Sequence, residues 1–235
     1  MGTSSDYGGG SGGAWRPFKT AATSYAKRGG DSRGRRVAAR HVAALGGVGG
    51  ATRSAPTAVA GAQRFAGLLS DIARDGLSEA LREAGLEDLV GRNRFDIVRA
   101  LVDLIAGAGS DLEGQAARAS VLDVIDELFA EGEDYADLAA LTLDADGLIA
   151  ALEAFIAYFI YNRMLPMIDE RLTRFADVRR AEQLDGDLKQ LIRAQVRIRL
   201  RDTDVLAVDW RGDDGRRLVD GLIQDAYRAL EELEE

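Results

Sequence analysis

The chain has no cysteine, a single histidine, three prolines and three lysines in 235 residues. Without thiols there is no disulfide framework, no thiol nucleophile and no zinc–thiolate site. His41 has no second histidine to join it in a metal centre, and a histidine-based triad lacks an identifiable nucleophile. Aromatic residues make up 6% of the chain. Alternating Val/Ile/Thr runs bounded by tight turns are missing, so β-structure has no support. No apolar run reaches about 18 residues and the N-terminus has no apolar stretch, so neither a membrane span nor a signal peptide is expected. Gly46–Gly50 fits neither G-x-G-x-x-G nor a P-loop and reads as a flexible loop. No paired carboxylates, nucleophile–base set or metal cluster stands out, so no catalytic residue, metal or cofactor is assigned.

What the chain does have is the composition of helices: Ala, Leu, Arg, Glu and Asp dominate. An all-α fold is expected, with one multi-helix domain over residues 37–235 behind an N-terminal arm, 1–36. Regular periodicity starts at Pro56, which suits the first turn of a helix running to Arg74. Phe65, Leu68, Leu69 and Ile72 form its apolar stripe. Further helices are expected over 78–84, over 95–105 with Phe95, Ile97, Leu101 and Ile105 inward, and over 112–130 with Val121, Leu122 and Ile125 inward. The segment from Leu148 to Ile160 is apolar on nearly all sides and should be the central helix. Pro166 should kink or break it, leaving a second piece from Met167 to Phe175. The core is placed at about 56–175. A charged helix pair follows over about 185–234, with an arginine stripe at 193, 197, 199 and 201.

The first fourteen residues are Gly, Ser, Thr and Ala apart from Met1, Asp6 and Tyr7. Such a segment cannot bury enough apolar surface to offset backbone ordering of roughly 1–2 kcal/mol per residue, so a disordered, extended tail is expected. Met1 precedes the small Gly2, and its removal would leave Gly2 as an α-amine. That amine has a reference pKa of about 7.7–8.0, against about 10.4 for lysine, so it is the most reactive nitrogen nucleophile on offer. Trp15, Phe18 and Tyr25 follow the tail and read as a docking patch onto the body. Residues 1–60 hold nine basic and two acidic side chains; the rest holds 21 basic and 37 acidic. Such asymmetry suggests an interaction arm on an acidic body.

Several stretches resemble a known family. Met1-Gly-Thr-Ser4, Tyr7-Gly-Gly9, Arg16-Pro-Phe18, Gly46-Gly47, Phe65-Ala-Gly-Leu-Leu-Ser-Asp71 and Leu86-Glu-Asp-Leu-Val-Gly91 are similar to QatB-like proteins of the four-gene Qat anti-phage defence systems. The similarity runs in order from residue 1 to about 175. Where that family has Pro after the Gly-Gly, this chain has Gly10. The resemblance implies a non-enzymatic, cytoplasmic component of a defence complex. Its implied partners are a QueC-like enzyme and, within the same system, an ATPase and a TatD-like nuclease. QueC-like enzymes adenylate a carboxylate on a deazapurine and condense it with an amine. The resemblance therefore points to Gly2 as acceptor, with Thr3, Ser4, Tyr7, Gly8 and Gly9 as the bound segment.

Two other readings stay open. Arg28–Arg40 and Arg193–Arg201 could serve a nucleic-acid-binding adaptor, although the acidic body weighs against nucleic acid as a partner. Thr142, Asp144, Asp146, Gly147 and Glu153 fall near EF-hand spacing, which would make a calcium-binding helical protein. The first of these positions lacks its usual acid, and an aspartate capping a helix explains the same residues.

Overall fold

The most apolar stretch of the sequence sits at the centre of the molecule. The computed structural model describes residues 13–107, 109–129, 135–197, 200 and 203–234, and every regular element among them is helical. In chain order these are α1 (Trp15–Arg28), α2 (Asp31–Ala44), α3 (Gly47–Arg53), α4 (Pro56–Asp75), α5 (Leu77–Glu83), α6 (Arg94–Ala106), α7 (Leu112–Leu128), α8 (Tyr135–Ala139), α9 (Ala145–Phe175), α10 (Val178–Gln195) and α11 (Asp213–Glu231). Short 3₁₀ turns cover Glu87–Leu89 and Glu232–Glu234.

Helix α9 has 31 residues, so it is about 46 Å long. It packs against α7, α10, α1 and α4. Leu148, Leu152, Phe155, Ile156, Phe159 and Ile160 are all buried, as a helix apolar on every side requires. By length and composition α9 could cross a membrane, but 78% of its apolar window is buried inside the protein. Its start is set by Asp144, whose carboxylate accepts a hydrogen bond from the Gly147 amide at 2.8 Å. That is a helix cap and accounts for Asp144 in the calcium-like spacing, while Glu153 of the same spacing pairs with Arg193 and Arg197. At Pro166 the sequence suggests a break, yet the helix runs through to Phe175. Met164, Ile168 and Leu172 lie on one face across the proline and are buried in the same core. That burial holds the two halves in register despite the missing N–H.

The N-terminal boundary also differs from the sequence expectation. Of the expected arm 1–36, residues from Trp15 onward belong to the helical body. Phe18, Ala21, Ala22, Tyr25 and Ala26 recur at i, i+3, i+4, i+7 and i+8 and bury against α2 and α9. Basic residues on the other face mask this stripe in the composition. Gly29 and Gly30 form the corner into α2 with φ of 61° and 96°, the left-handed region that favours glycine. A Cβ on Gly29 would stand 2.7 Å from Leu184 Cδ2. Gly46–Gly50, expected as a flexible loop, instead leads into and opens α3 (Gly47–Arg53), which packs against α11.

Two apolar side chains expected inside lie outside: Phe95 is 74% exposed and Leu122 is 43% exposed. The buried face of α6 is Ile97, Leu101, Val102 and Ile105. Phe95 sits two positions before Ile97, about 200° around the helix. In α7 the inward face is Ala117, Val121, Val124 and Ile125, and Leu122 is turned one step away. In the loop before α11, Trp210 is buried and donates its indole N–H to the Val205 carbonyl at 2.9 Å.

Candidate functional site

Gly2, Thr3, Ser4, Tyr7, Gly8 and Gly9 lie outside the described residues. The described chain begins at Gly13 and enters α1 at Trp15. The structure brings Trp15, Phe18 and Tyr25 together on one helix, turned toward the body. The Trp15 and Phe18 rings meet edge to face at 5.8 Å, and the His41 ring lies 5.9 Å and 5.4 Å from them. The Tyr25 hydroxyl donates to the Leu184 carbonyl at 2.6 Å. Burial pushes its pKa well above the ordinary tyrosine value, and the carboxylates of Asp187 and Asp185 push the same way. The tail is thus rooted on an anchored helix.

His41 is fully buried, and among the described residues neither ring nitrogen has a hydrogen-bond partner. Burial first, and Arg163 second, pull its pKa down to about 3, so the ring is neutral at physiological pH. Arg163 itself is buried. It donates to the Ser54 hydroxyl at 2.8 Å and the Tyr227 hydroxyl at 3.2 Å, tying α9 to α11 and to the end of α3.

A second polar cluster joins α7, α9 and α10. Lys189 Nζ pairs with Asp123 at 2.7 Å and lies 4.5 Å from the centre of the Tyr158 ring. Asn162 donates to Asp123 at 3.0 Å. Tyr158 donates to Glu127 and Tyr161 to Asp185. Burial, then the bond to Glu127, raises the Tyr158 pKa to about 12. These groups are satisfied by one another, as a structural cross-brace requires. Among the described residues no group of three or more His, Asp or Glu is placed to hold a metal ion. Of the arginine stripe on α10 and beyond, Arg193 and Arg197 approach Glu153 at 3.8 Å and 3.3 Å, while Arg199 and Arg201 lie outside the described residues.

The outer face of α1 is different in kind. It presents Arg16, Lys19, Lys27 and Arg28 to solvent. Arg33, Arg36 and Arg40 form a parallel stripe on α2, and a groove opens between them and Arg16, Thr20 and Ser24. Residues 13–44 hold eight basic side chains and one acidic one, Asp31. Sequence reasoning saw the charge but missed the groove. The signal was there as Arg16/Thr20/Ser24 and Arg33/Arg36/Arg40, each at helical spacing on either side of Gly29-Gly30.

Fold and surface define a protein that is helical throughout its described regular elements, with a cationic groove on its first two helices. A family model described as "Qat anti-phage system associated protein QatB" matches residues 46–230. The chain belongs to the QatB family and is a component of the Qat anti-phage defence system, which implies partner proteins of that system. No curated protein and no solved structure shows significant similarity to it. The tail and the α1–α2 hairpin fall before the matched span.

Proposed function

We propose that this QatB-family protein is a cytoplasmic, non-enzymatic component of the defence complex. Its N-terminal tail is the part that a QueC-like partner binds and modifies covalently at Gly2. The observation that carries the reading is the Met1-Gly-Thr-Ser4 start on a chain of this family. The partner would activate a deazapurine carboxylate as its acyl-adenylate, using ATP. The Gly2 amine attacks the acyl carbon, a C–N bond forms, AMP leaves and the amine gives up a proton. Gly2 suits this role because it has no side chain to crowd a narrow pocket and an amine less protonated than any lysine. Thr3 and Ser4 offer short hydroxyls for hydrogen bonds along that channel, and Tyr7, Gly8 and Gly9 complete the bound stretch. Phe18 and Tyr25 fix the root of the tail. Thirteen residues, Gly2 to Ala14, span at most about 45 Å, enough to enter a neighbouring protein. The ATPase and the TatD-like nuclease complete the set of proposed partners.

The test is intact-mass and N-terminal peptide analysis of the chain co-expressed with its partners. An added mass on the N-terminal peptide is expected, lost in Gly2→Pro. An unmodified N-terminus together with full phage protection by Gly2→Pro would refute the reading.

A further inference from the structure

We propose that the cationic outer face of α1, together with the groove between α1 and α2, is a binding site for the phosphate backbone of nucleic acid. This site is separate from the tail chemistry and does not depend on it. In sequence the cations are scattered over 25 positions, and the acidic remainder of the chain weighs against such a partner. Folding changes that balance, because it gathers the cations on one side of one helical hairpin, where Asp31 and Glu234 are the acids that pair with them.

Three observations support phosphate as the ligand. First, the cations are available. Arg16 lines the groove, and Lys19 and Arg28 line the surface that continues it along α1; all three are exposed and have no carboxylate within ion-pair distance among the described residues. Elsewhere on the surface, arginines such as Arg74, Arg82, Arg94 and Arg118 are paired with acids. Second, the groove already holds an anion at one end. Arg40 donates through Nε and Nη2 to one carboxylate oxygen of Glu234, at 2.9 Å and 2.6 Å, and Arg36 approaches it at 3.9 Å. The acidic C-terminal turn therefore abuts one end of the site. Third, the face is long and polar. The 14 residues of α1 run about 21 Å, which meets about six phosphates of one duplex strand at 3.4 Å of axis each.

The same features select against other polyanions and other modes. An acidic peptide needs apolar anchors in a desolvated pocket, and this groove offers only Pro17 and Ala21. Base stacking on single strands needs exposed aromatic faces. Phe18 and Tyr25 are turned inward, so the bases are not read. The geometry points to sequence-independent contact with the backbone of a duplex.

Fluorescence anisotropy of a labelled 20-base-pair DNA duplex with the full-length protein tests this between 50 and 200 mM salt. About four phosphate contacts predict a slope of log K against log salt near −3.6. Combined Arg16→Gln, Lys19→Gln and Arg28→Gln should flatten that slope by about 2.7 units with the melting temperature unchanged. Glu234→Gln should act in the opposite sense. It frees Arg40 from an exposed pair and tightens binding by roughly two- to five-fold. No binding at 50 mM salt, equal binding by the triple variant, or equal affinity for a poly-glutamate peptide of matching charge would each overturn the proposal.

Discussion

Phe155→Ala tests whether α9 is the packing centre, and Gly61 tells whether the reason is the one given. The Phe155 ring is fully buried and lies 5.8 Å from the Phe65 ring at an interplanar angle of 44°. Truncation removes the transfer free energy of the ring, leaves a cavity and breaks an aromatic pair. Together these cost about 3–5 kcal/mol. The upper half of that range is expected, because α9 is enclosed by four helices and α4 has no side chain at Gly61 to fill the gap. For a chain of this size about 4 kcal/mol lowers the melting temperature by roughly 8–16 °C. A Cβ on Gly61 would meet Phe155 Cζ at 3.2 Å. Gly61→Ala therefore gains helix propensity but crowds the ring, and is neutral or destabilising in the parent. In the Phe155→Ala background the crowding is gone and the same change stabilises by about 1 kcal/mol. Urea denaturation of the four proteins measures the coupling. Effects that add within about 0.5 kcal/mol, or a Phe155→Ala midpoint equal to wild type, would show that α9 and α4 do not meet as described.

Other expectations follow from the buried polar groups and the α1–α2 corner. His41 titrates near 3 in the fold and near 6.5 in the unfolded chain, so the unfolded state binds the proton first. Its contribution is intact above about pH 6.5 and is lost as pH falls toward 3; thermal melts from pH 7.5 to 4 should show His41→Leu to be less acid-sensitive than wild type. Arg163→Ala leaves the Ser54 and Tyr227 hydroxyls without their buried donor and should cost about 3 kcal/mol by urea denaturation. Gly29→Ala forces a Cβ into a left-handed position against Leu184 and should cost about 1–3 kcal/mol, with hydrogen exchange rising first in α1.

Much of the fold is legible in the residues because local rules and burial agree. Pro56 opens α4, Gly76 follows its end, and Asp144 caps α9 as acids do at helix starts. The apolar run from Leu148 to Ile160 can only be a helix surrounded by others. The Met-Gly-Thr-Ser start and the family resemblance are likewise properties of sequence alone. Composition, by contrast, misjudges residues 15–36. Their charge and glycine content place them in the arm, although the seven-residue spacing of Phe18 and Tyr25 already points to a short helix over about 18–28 docking on the body. Five small or aromatic side chains on one face seat it once α2 and α9 supply a surface. Inward and outward positions on α6 and α7 were ambiguous for Phe95 and Leu122, because several apolar faces compete on one helix and only the neighbour's position selects among them. Pro166 reads as a break until the core on both sides of it is known. The cationic groove is likewise tertiary. Sequence places arginines at helical spacing in two segments, but the left-handed corner at Gly29-Gly30 brings those segments side by side, and the packing of Phe18 and Tyr25 turns their cations outward together.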